Sequence, residues 1–444
     1  MTNVTFPPRI WAVWRPPDGA NAPRRGWALP VSRGAPAGKS FTKERQARMR
    51  TVDVFVIGAG PAGSYVAFAL AKQGYEVLLA EKRPEVGVPV RCGEAAGSLD
   101  ELKHFLPLSS EWIAGSIDGA RLFGPSGTCV ERRMPGVGTQ LHRDKFDQTL
   151  ARQAQQAGAE LRTSMQVTGI AALDQGTRAV QMLDRSRGGE ATTVRARLVI
   201  GADGVESFVG QWLGLRKPFA LADVHSALQY WIDGVDPGER YIDLFAGHAV
   251  APGGYAWVFP KHNGTANVGL GIHVKERQPR PARAWLDDFV HSRYPHSRIL
   301  ATHAGSVSGA HGLKSMVTDA AVLVGEAAHA NNPFSGGGIM NALESAEEAG
   351  DELGAALREG DLRTSRLQRY QERWHRRVGR TNDLFFKLRK LYFTMNDREI
   401  DWAVEALNRA VSAVDARDVD YTGIFKTALT LHPKLVMKAT RMLW

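Results

Sequence analysis

The chain has 444 residues, 43% of them hydrophobic and 23% charged, the balance of a soluble globular protein with material for two or three domains. No run approaches the roughly eighteen apolar residues of a membrane span, and two cysteines, Cys92 and Cys129, make neither a disulfide framework nor a set of about four thiolates for an iron–sulfur cluster. Of the net charge of +10, +8 falls within residues 1–50, so no basic face is left in the remainder for nucleic acid, and the expected place is the cytoplasm.

Residues 1–48 are rich in Pro, Gly and Arg, with scattered Trp11, Trp14 and Trp27 and no sustained periodicity. They are expected to be a disordered tail, with Met49 as the natural start of the compact enzyme. Val52 to Ile57 then reads as a short buried strand, followed by Gly58, Gly60 and Gly63 in GxGxxG spacing, a helix to about Gln73, and a second strand over Val77–Ala80. Gly58 permits the tight turn, Gly60 lets a diphosphate approach the backbone, and Gly63 lets the helix pack on the strand. Glu81 closes the second strand, where a carboxylate binds ribose hydroxyls and disfavours a 2′-phosphate. The nucleotide is therefore NAD or the ADP half of FAD, not NADP.

Residues 82–97, containing Arg91, Cys92, Gly93 and Glu94, have too many Gly and Pro for helix or strand. A hairpin is expected over Ala120–Phe123 and Thr128–Arg132 around the GPSG turn, and an amphipathic helix from Leu141 to Gly158. Strands fill 159–200 and end before GADG (201–204). From His225 to Val274 the pattern is an antiparallel sheet, then a helix over 281–294 and a strand at Ala321–Val324. A glycine cluster, Gly336, Gly337 and Gly338, leads into the apolar pattern of Ile339, Leu343 and Ala346, a second helix start reached through a glycine turn. Beyond 350 the chain reads as helical and basic to about Asn408.

GAGPAG with Glu81, LHRDKFD with Arg143, LVIGADG and GEAAHANNPFSGGGI occur in an order that resembles flavoprotein monooxygenases and their reductase relatives. PVRCGE (89–94) and APGGYAWVFP (251–260), followed by Gly269 and Gly271, resemble the signatures of the geranylgeranyl reductase family, over roughly residues 50–400. The resemblance implies an α/β fold. It has a discontinuous FAD-binding Rossmann-like domain (49–119, 140–215 and 303–350), an antiparallel-sheet catalytic domain (120–139 and 216–302) and a C-terminal helical region (351–444). It implies FAD contacts at Ala62, Gly63, Glu81, Arg91, Cys92 and Gly93, and further ones at Arg143, Glu326, Gly338 and Ile339. Val167 is a weaker candidate beside the adenine. Glu326 departs from the usual Asp, and His329 from the small or varied residues common there.

The implied reaction reduces isolated double bonds of polyprenyl chains, by hydride delivery from reduced flavin together with protonation. The external donor would be NAD(P)H or a ferredoxin-like protein. The turn at 336–338 would aim backbone N–H groups at the flavin and stabilise its anionic reduced form. Cys92 is the sharpest site candidate, although a buried cysteine is commonly inert and its thiol is a poor acid for an alkene. Tyr255, Trp257 and Phe259 alternate on one face of a strand, as a wall for an apolar chain or as plain core packing. Aromatic and basic residues over 385–393 suit either a peripheral contact with an anionic membrane or a packed helix. No metal-ligand spacing is present. A flavin monooxygenase or halogenase is the alternative enzyme, with a quinone-linked electron-transfer partner or a non-enzymatic prenyl-binding protein behind it.

Overall fold

The computed structural model describes residues 49–235, 240–273 and 280–411, the side chains of 410 and 411 excepted. The tail expected to be disordered, 1–48, lies outside the described residues, as does the C-terminal end beyond 411.

β1 (Thr51–Ile57) is largely apolar and buried, because it has parallel neighbours on both sides and its faces are covered. The chain leaves it through Gly58, at φ +101, into α1 (Pro61–Ala71), with Pro61 in the first turn where no amide is needed. It returns as β2 (Val77–Ala80), parallel to β1. The loop expected over 82–97 holds except for β3 (Ala95–Ala96), and α2 (Leu99–Phe105) follows from a Ser98–Glu101 capping box.

The hairpin is far longer than expected, with β4 (Ile113–Phe123) and β5 (Cys129–Leu141) paired along most of their length. Its glycines look like turn signals in the sequence, but the ladder absorbs them as register shifts at Ile113/Gly115 and Ile117/Gly119. α3 (Arg143–Gln156) is the expected amphipathic helix and buries Phe146 and Leu150. β6 (Glu160–Arg162), β7 (Met165–Ile170), β8 (Arg178–Asp184) and β9 (Glu190–Gly201) follow, and β9 lies beside β1.

β10 (Val224–Asp233), β11 (Tyr241–Ala246), β12 (Tyr255–Lys261) and β13 (Thr265–His273) pair antiparallel as expected, but β11 runs parallel to β4. α4 (Ala282–Arg293) packs on this sheet, and β14 (Ile299–Ser308) forms its edge beside β10. β15 (Val317–Thr318) and β16 (Ala321–Leu323) return to the first sheet. Helices α5 (Ile339–Glu359), α6 (Thr364–Trp374), α7 (Arg380–Tyr392) and α8 (Asp397–Val411) complete the chain, with a π turn at His375–Gly379.

The result is two sheets. One has the order β15-β16-β9-β1-β2-β6 with β7 and β8 attached, and the other β14-β10-β13-β12-β11-β4-β5-β3. Sequence boundaries at 119/120, 139/140 and 302/303 thus fall inside β4, β5 and β14.

Candidate active site

At the first glycine turn the sequence requirement is steric. A Cβ on Gly58 would sit 2.5 Å from the Ala202 carbonyl oxygen, and one on Gly63 would overlap the Gly58 carbonyl. Gly60 instead faces open space, the side from which a diphosphate reaches the free N–H groups of α1. Glu81 accepts from the backbone N–H of Ala59 and of Arg83, both at 3.0 Å. A cleft of about 100 Å³ brings together the expected Gly60, Glu81, Arg91 and Arg143, joined by Arg83 and Asp147. Arg143 is held there by a two-pronged ion pair to buried Asp147, at 2.8 and 2.9 Å. Val167, on β7, packs against the core and is not among the residues lining this cleft.

The second glycine turn lies at the same end of the sheet. A Cβ on Gly325 would meet the Cβ of Ala62 on α1 at 2.7 Å and that of Ala342 on α5 at 3.6 Å. Farther along, Gly350 of α5 closes on Ala69 of α1. The pairs Ala62/Ala342 and Ala69/Gly350 advance together, so α1 and α5 run parallel with their N-termini side by side. Two sets of unpaired N–H groups therefore face one region, outside the carboxyl ends of parallel strands. Gly338 caps α5, Ile339 begins it nearly buried, and Gly336 takes φ +73 to make the turn. Gly337 donates to the Ser335 hydroxyl at 3.2 Å.

The Cys92–Glu94 loop is fastened to the second sheet at each residue. Gln229 donates to the Cys92 carbonyl at 3.1 Å and accepts from the Trp257 indole at 3.0 Å. A Cβ on Gly93 would lie 2.9 Å from the Phe259 ring. The Gly93 carbonyl accepts from Gln140 at 2.8 Å and Asn267 at 3.1 Å. Glu94, at φ 69 and 3% exposed, accepts from Arg143 N at 2.9 Å, Lys261 Nζ at 2.6 Å and Asn267 Nδ2 at 2.7 Å. Its own N–H donates to Cys92 Sγ at 3.2 Å. Burial pushes the Cys92 thiol up, against the pull of the Arg143 guanidinium, so it is a neutral thiol and not a thiolate near neutrality.

The aromatic row is continuous. Tyr255 meets Trp257 edge-on at 5.9 Å, and Trp257 stacks with Phe259 at 6.1 Å. Tyr255, its phenol pushed up to about 12 by burial, donates to the Ser335 carbonyl and so joins β12 to the second glycine turn. Glu326 closes the site behind that turn. Burial pushes its carboxyl up to about 7, opposed by a Ser308 N–H and by the charges of Arg216 and Arg143.

Gly60 open to a diphosphate, Glu81 at ribose distance along the same cleft, and a second helix start beside the first fit FAD, which is long enough to lie across both turns.

A family described as the geranylgeranyl reductase catalytic domain matches residues 223–307, and an NAD(P)-binding Rossmann-like domain matches 56–118. The digeranylgeranylglycerophospholipid reductase of Methanocella arvoryzae is 37% identical over 388 residues, covering 86% of this chain and 97% of that protein. The chain belongs to the geranylgeranyl reductase family. A second such reductase, from Methanosarcina acetivorans, is 37% identical over 80% of this chain and 88% of its own. Among solved structures, a geranylgeranyl bacteriochlorophyll reductase-like protein of Thermoplasma acidophilum superposes with a TM-score of 0.80 at 32% identity, covering 89% of this chain and all of that one. The halogenase PltM in complex with phloroglucinol and FAD shares the fold, with a TM-score of 0.63 at 16% identity over 88% of this chain and 85% of its own.

Within this geranylgeranyl reductase fold, several site residues escaped the sequence reading. Lys261 continues the alternation of Tyr255, Trp257 and Phe259 and was in reach of that rule. Asp147 stands four residues after Arg143 on one helix face, a second legible pairing. Gln229, Gln140 and Asn267 carry no sequence signal, because only strand pairing places them. Of the basic–aromatic stretch 385–393, Arg389 turns inward and donates to the Ala222 carbonyl at 2.9 Å, while Lys387 and Lys390 stay exposed. Among the described residues no helix is long and apolar enough to cross a membrane, and no cluster of His, Cys, Asp and Glu is arranged for a metal.

Proposed function

We propose that this chain is an FAD-dependent reductase that saturates carbon–carbon double bonds in the geranylgeranyl chains of a glycerophospholipid. The observation that carries this reading is one junction: the Cys92–Glu94 loop lies on the aromatic row of β12, and Tyr255 of that row bonds to the turn that starts α5. An isolated alkene offers no carbonyl to polarise and no charge to grip, so it must be positioned by shape against the cofactor. FAD, when bound, supplies the reducing electrons. Gly336, Gly337, Gly338 and Ile339 direct a helix start at the flavin and stabilise negative charge there. Gly58, Gly60, Ala62 and Gly63 hold the diphosphate. Glu81, Arg91 and Arg143 serve the adenosine side, with Val167 near the adenine.

Tyr255 and Trp257 wall the alkene, exclude water and offer ring faces to positive charge developing on its more substituted carbon. Cys92, protonated and beside both, borders the reacting carbons. The first sheet with α1, α3 and α5 forms the cofactor domain, and the second sheet the substrate domain. An external donor, NAD(P)H or a ferredoxin-like protein, meets the cofactor transiently, and the α7 face carrying Lys387 and Lys390 touches an anionic lipid surface. The deciding experiment is anaerobic incubation of the dithionite-reduced protein with geranylgeranyl glycerophospholipids, read by mass spectrometry. A gain of two hydrogens per double bond is expected. Unchanged lipid beside fully reduced flavin overturns the reading, and oxygen or halide incorporation under air reassigns the chain.

A further inference from the structure

Arg216 is the one buried charge near the cofactor region that the reading above leaves without a role. It is 7% exposed, and its only hydrogen bond among the described residues is from Nη2 to the Val205 carbonyl at 2.8 Å. Nε and Nη1 are enclosed and unpartnered. No carboxylate among the described residues is in ion-pair contact with it. The fold nevertheless makes room for this side chain. A Cβ on Gly210 would strike Arg216 Cγ and Cδ at 2.7 and 2.8 Å, and the guanidinium lies over the Phe219 ring at 4.2 Å. Phe219 stacks in turn on His329 at 4.9 Å, and His329 N donates to the Glu326 carbonyl at 3.1 Å. This stack sets the guanidinium behind the turn that carries Glu326.

A buried cation without a counter-charge is strongly unfavourable unless it compensates a charge elsewhere. Two carboxylates act on Arg216 through space, Asp203 and Glu326. Asp203 is already committed, accepting from Phe208 N at 2.8 Å and Val209 N at 3.0 Å. Glu326 has a Ser308 N–H, with Arg143 as the other cation facing it. The enclosed guanidinium nitrogens cannot themselves touch a cofactor. We propose that Arg216 is a positioning residue for FAD: its fixed charge keeps the Glu326 carboxylate ionised, so that Glu326 accepts hydrogen bonds from the cofactor's ribityl hydroxyls. This rests on the FAD reading above. It also accounts for a glutamate functioning in so enclosed a place. Burial alone favours the neutral acid, whereas a neutral acid offers one oxygen fewer as a full acceptor.

The test is FAD binding itself, measured by fluorescence quenching on titrating the apoprotein from about pH 6 to about pH 9, where Glu326 changes its charge. Removing the guanidinium by Arg216→Gln raises the Glu326 pKa. A rise of one unit lowers its ionised fraction at pH 7 from about a half to about a tenth, so FAD binds about fivefold more weakly there. The gap closes toward about pH 9, where both proteins are ionised. Arg216→Lys keeps the charge and restores the wild-type profile. Glu326→Gln flattens the profile, and Arg216→Gln then adds nothing to it. An Arg216→Gln profile parallel to the wild type at every pH, or a loss that persists in the Glu326→Gln background, overturns the proposal. Should Arg216→Gln not fold, Glu326→Gln alone decides: a flattened profile supports the proposal and an unchanged one refutes it. Wild-type protein that binds no FAD at any pH sinks the parent reading instead.

Discussion

The buried pair Glu94–Lys261 is the most consequential ion pair in the molecule, and its removal makes a quantitative test. Glu94 is 3% and Lys261 7% exposed, and they meet at 2.6 Å. Lys261→Met leaves the carboxylate with only the Arg143 N–H and the Asn267 amide as donors. Breaking one side of a buried pair costs about 3–5 kcal/mol, since an uncompensated charge stays behind. Glu94→Gln leaves the ammonium against the Trp231 ring at 5.2 Å, a contact that offsets about 1 kcal/mol, so its expected loss is about 2–4 kcal/mol.

The double variant removes both charges, and its loss should fall short of the sum by about 2–3 kcal/mol. Urea unfolding of the four proteins gives this coupling directly, with Arg298→Ala as a control for an exposed pair that should change stability little. Both single variants should also lose most alkene reduction, because Glu94 N holds Cys92 Sγ and Glu94 Oε1 holds the start of α3. Additive losses, or a Lys261→Met protein within about 1 kcal/mol of wild type, would refute the account of this pair as a buried, coupled unit.

Gly60→Ala meets open space and should melt like wild type yet purify with little FAD, whereas Gly63→Ala overlaps the Gly58 carbonyl and should lose both stability and cofactor; a Gly60→Ala protein of full yellow colour would place the diphosphate elsewhere. Glu326 keeps its proton to about 7 in the folded apoprotein but only to 4.5 when unfolded, so the folded state binds more protons in that window and stability falls as pH rises through it. Glu326→Gln should abolish about 3 kcal/mol of that fall in urea melts, and a wild-type apoprotein with flat stability across the window contradicts the burial argument. Cys92→Ala and Cys92→Ser should keep FAD and lose most turnover; unchanged turnover removes Cys92 from the reaction.

What the sequence disclosed follows from what local backbone geometry demands. Gly58 and Gly63 are legible because a side chain at either position collides with the next segment, whatever the rest of the fold does. The alternation of Tyr255, Trp257 and Phe259 is legible because a strand has a period of two. The β4–β5 hairpin was misjudged in length because a glycine bridging a bulge and a glycine making a turn look alike in one dimension. Gln229 was invisible for a different reason. It reaches Cys92, 137 positions away, only through the pairing of β10 with β13. Arg216 was equally hidden, since its environment is assembled from Gly210, Phe219 and the Glu326 turn.

Why the loop at 92–94 should be so heavily fastened follows from the substrate. Many enzymes orient a ligand by its charges and tolerate some slack elsewhere. A polyprenyl chain presents only repeated, chemically similar alkenes, so small displacements exchange one double bond for a near neighbour and lose alignment. Selectivity then has to come from stiffness. The structure supplies it through ties between the two sheets. Glu94 ties helix α3 of the first sheet to Lys261 and Asn267 of the second, and Gly93 brings the backbone against Phe259. Tyr255 ties that same strand to the turn of α5. The two halves of the site are thereby referenced to one strand, β12, and loosening either tie should blur which bond is reduced before it abolishes reduction. Product mixtures from Tyr255→Phe, resolved by the position of hydrogen gain, should be broader than wild type, while an unaltered distribution would mean that the aromatic row packs the core without steering the chain.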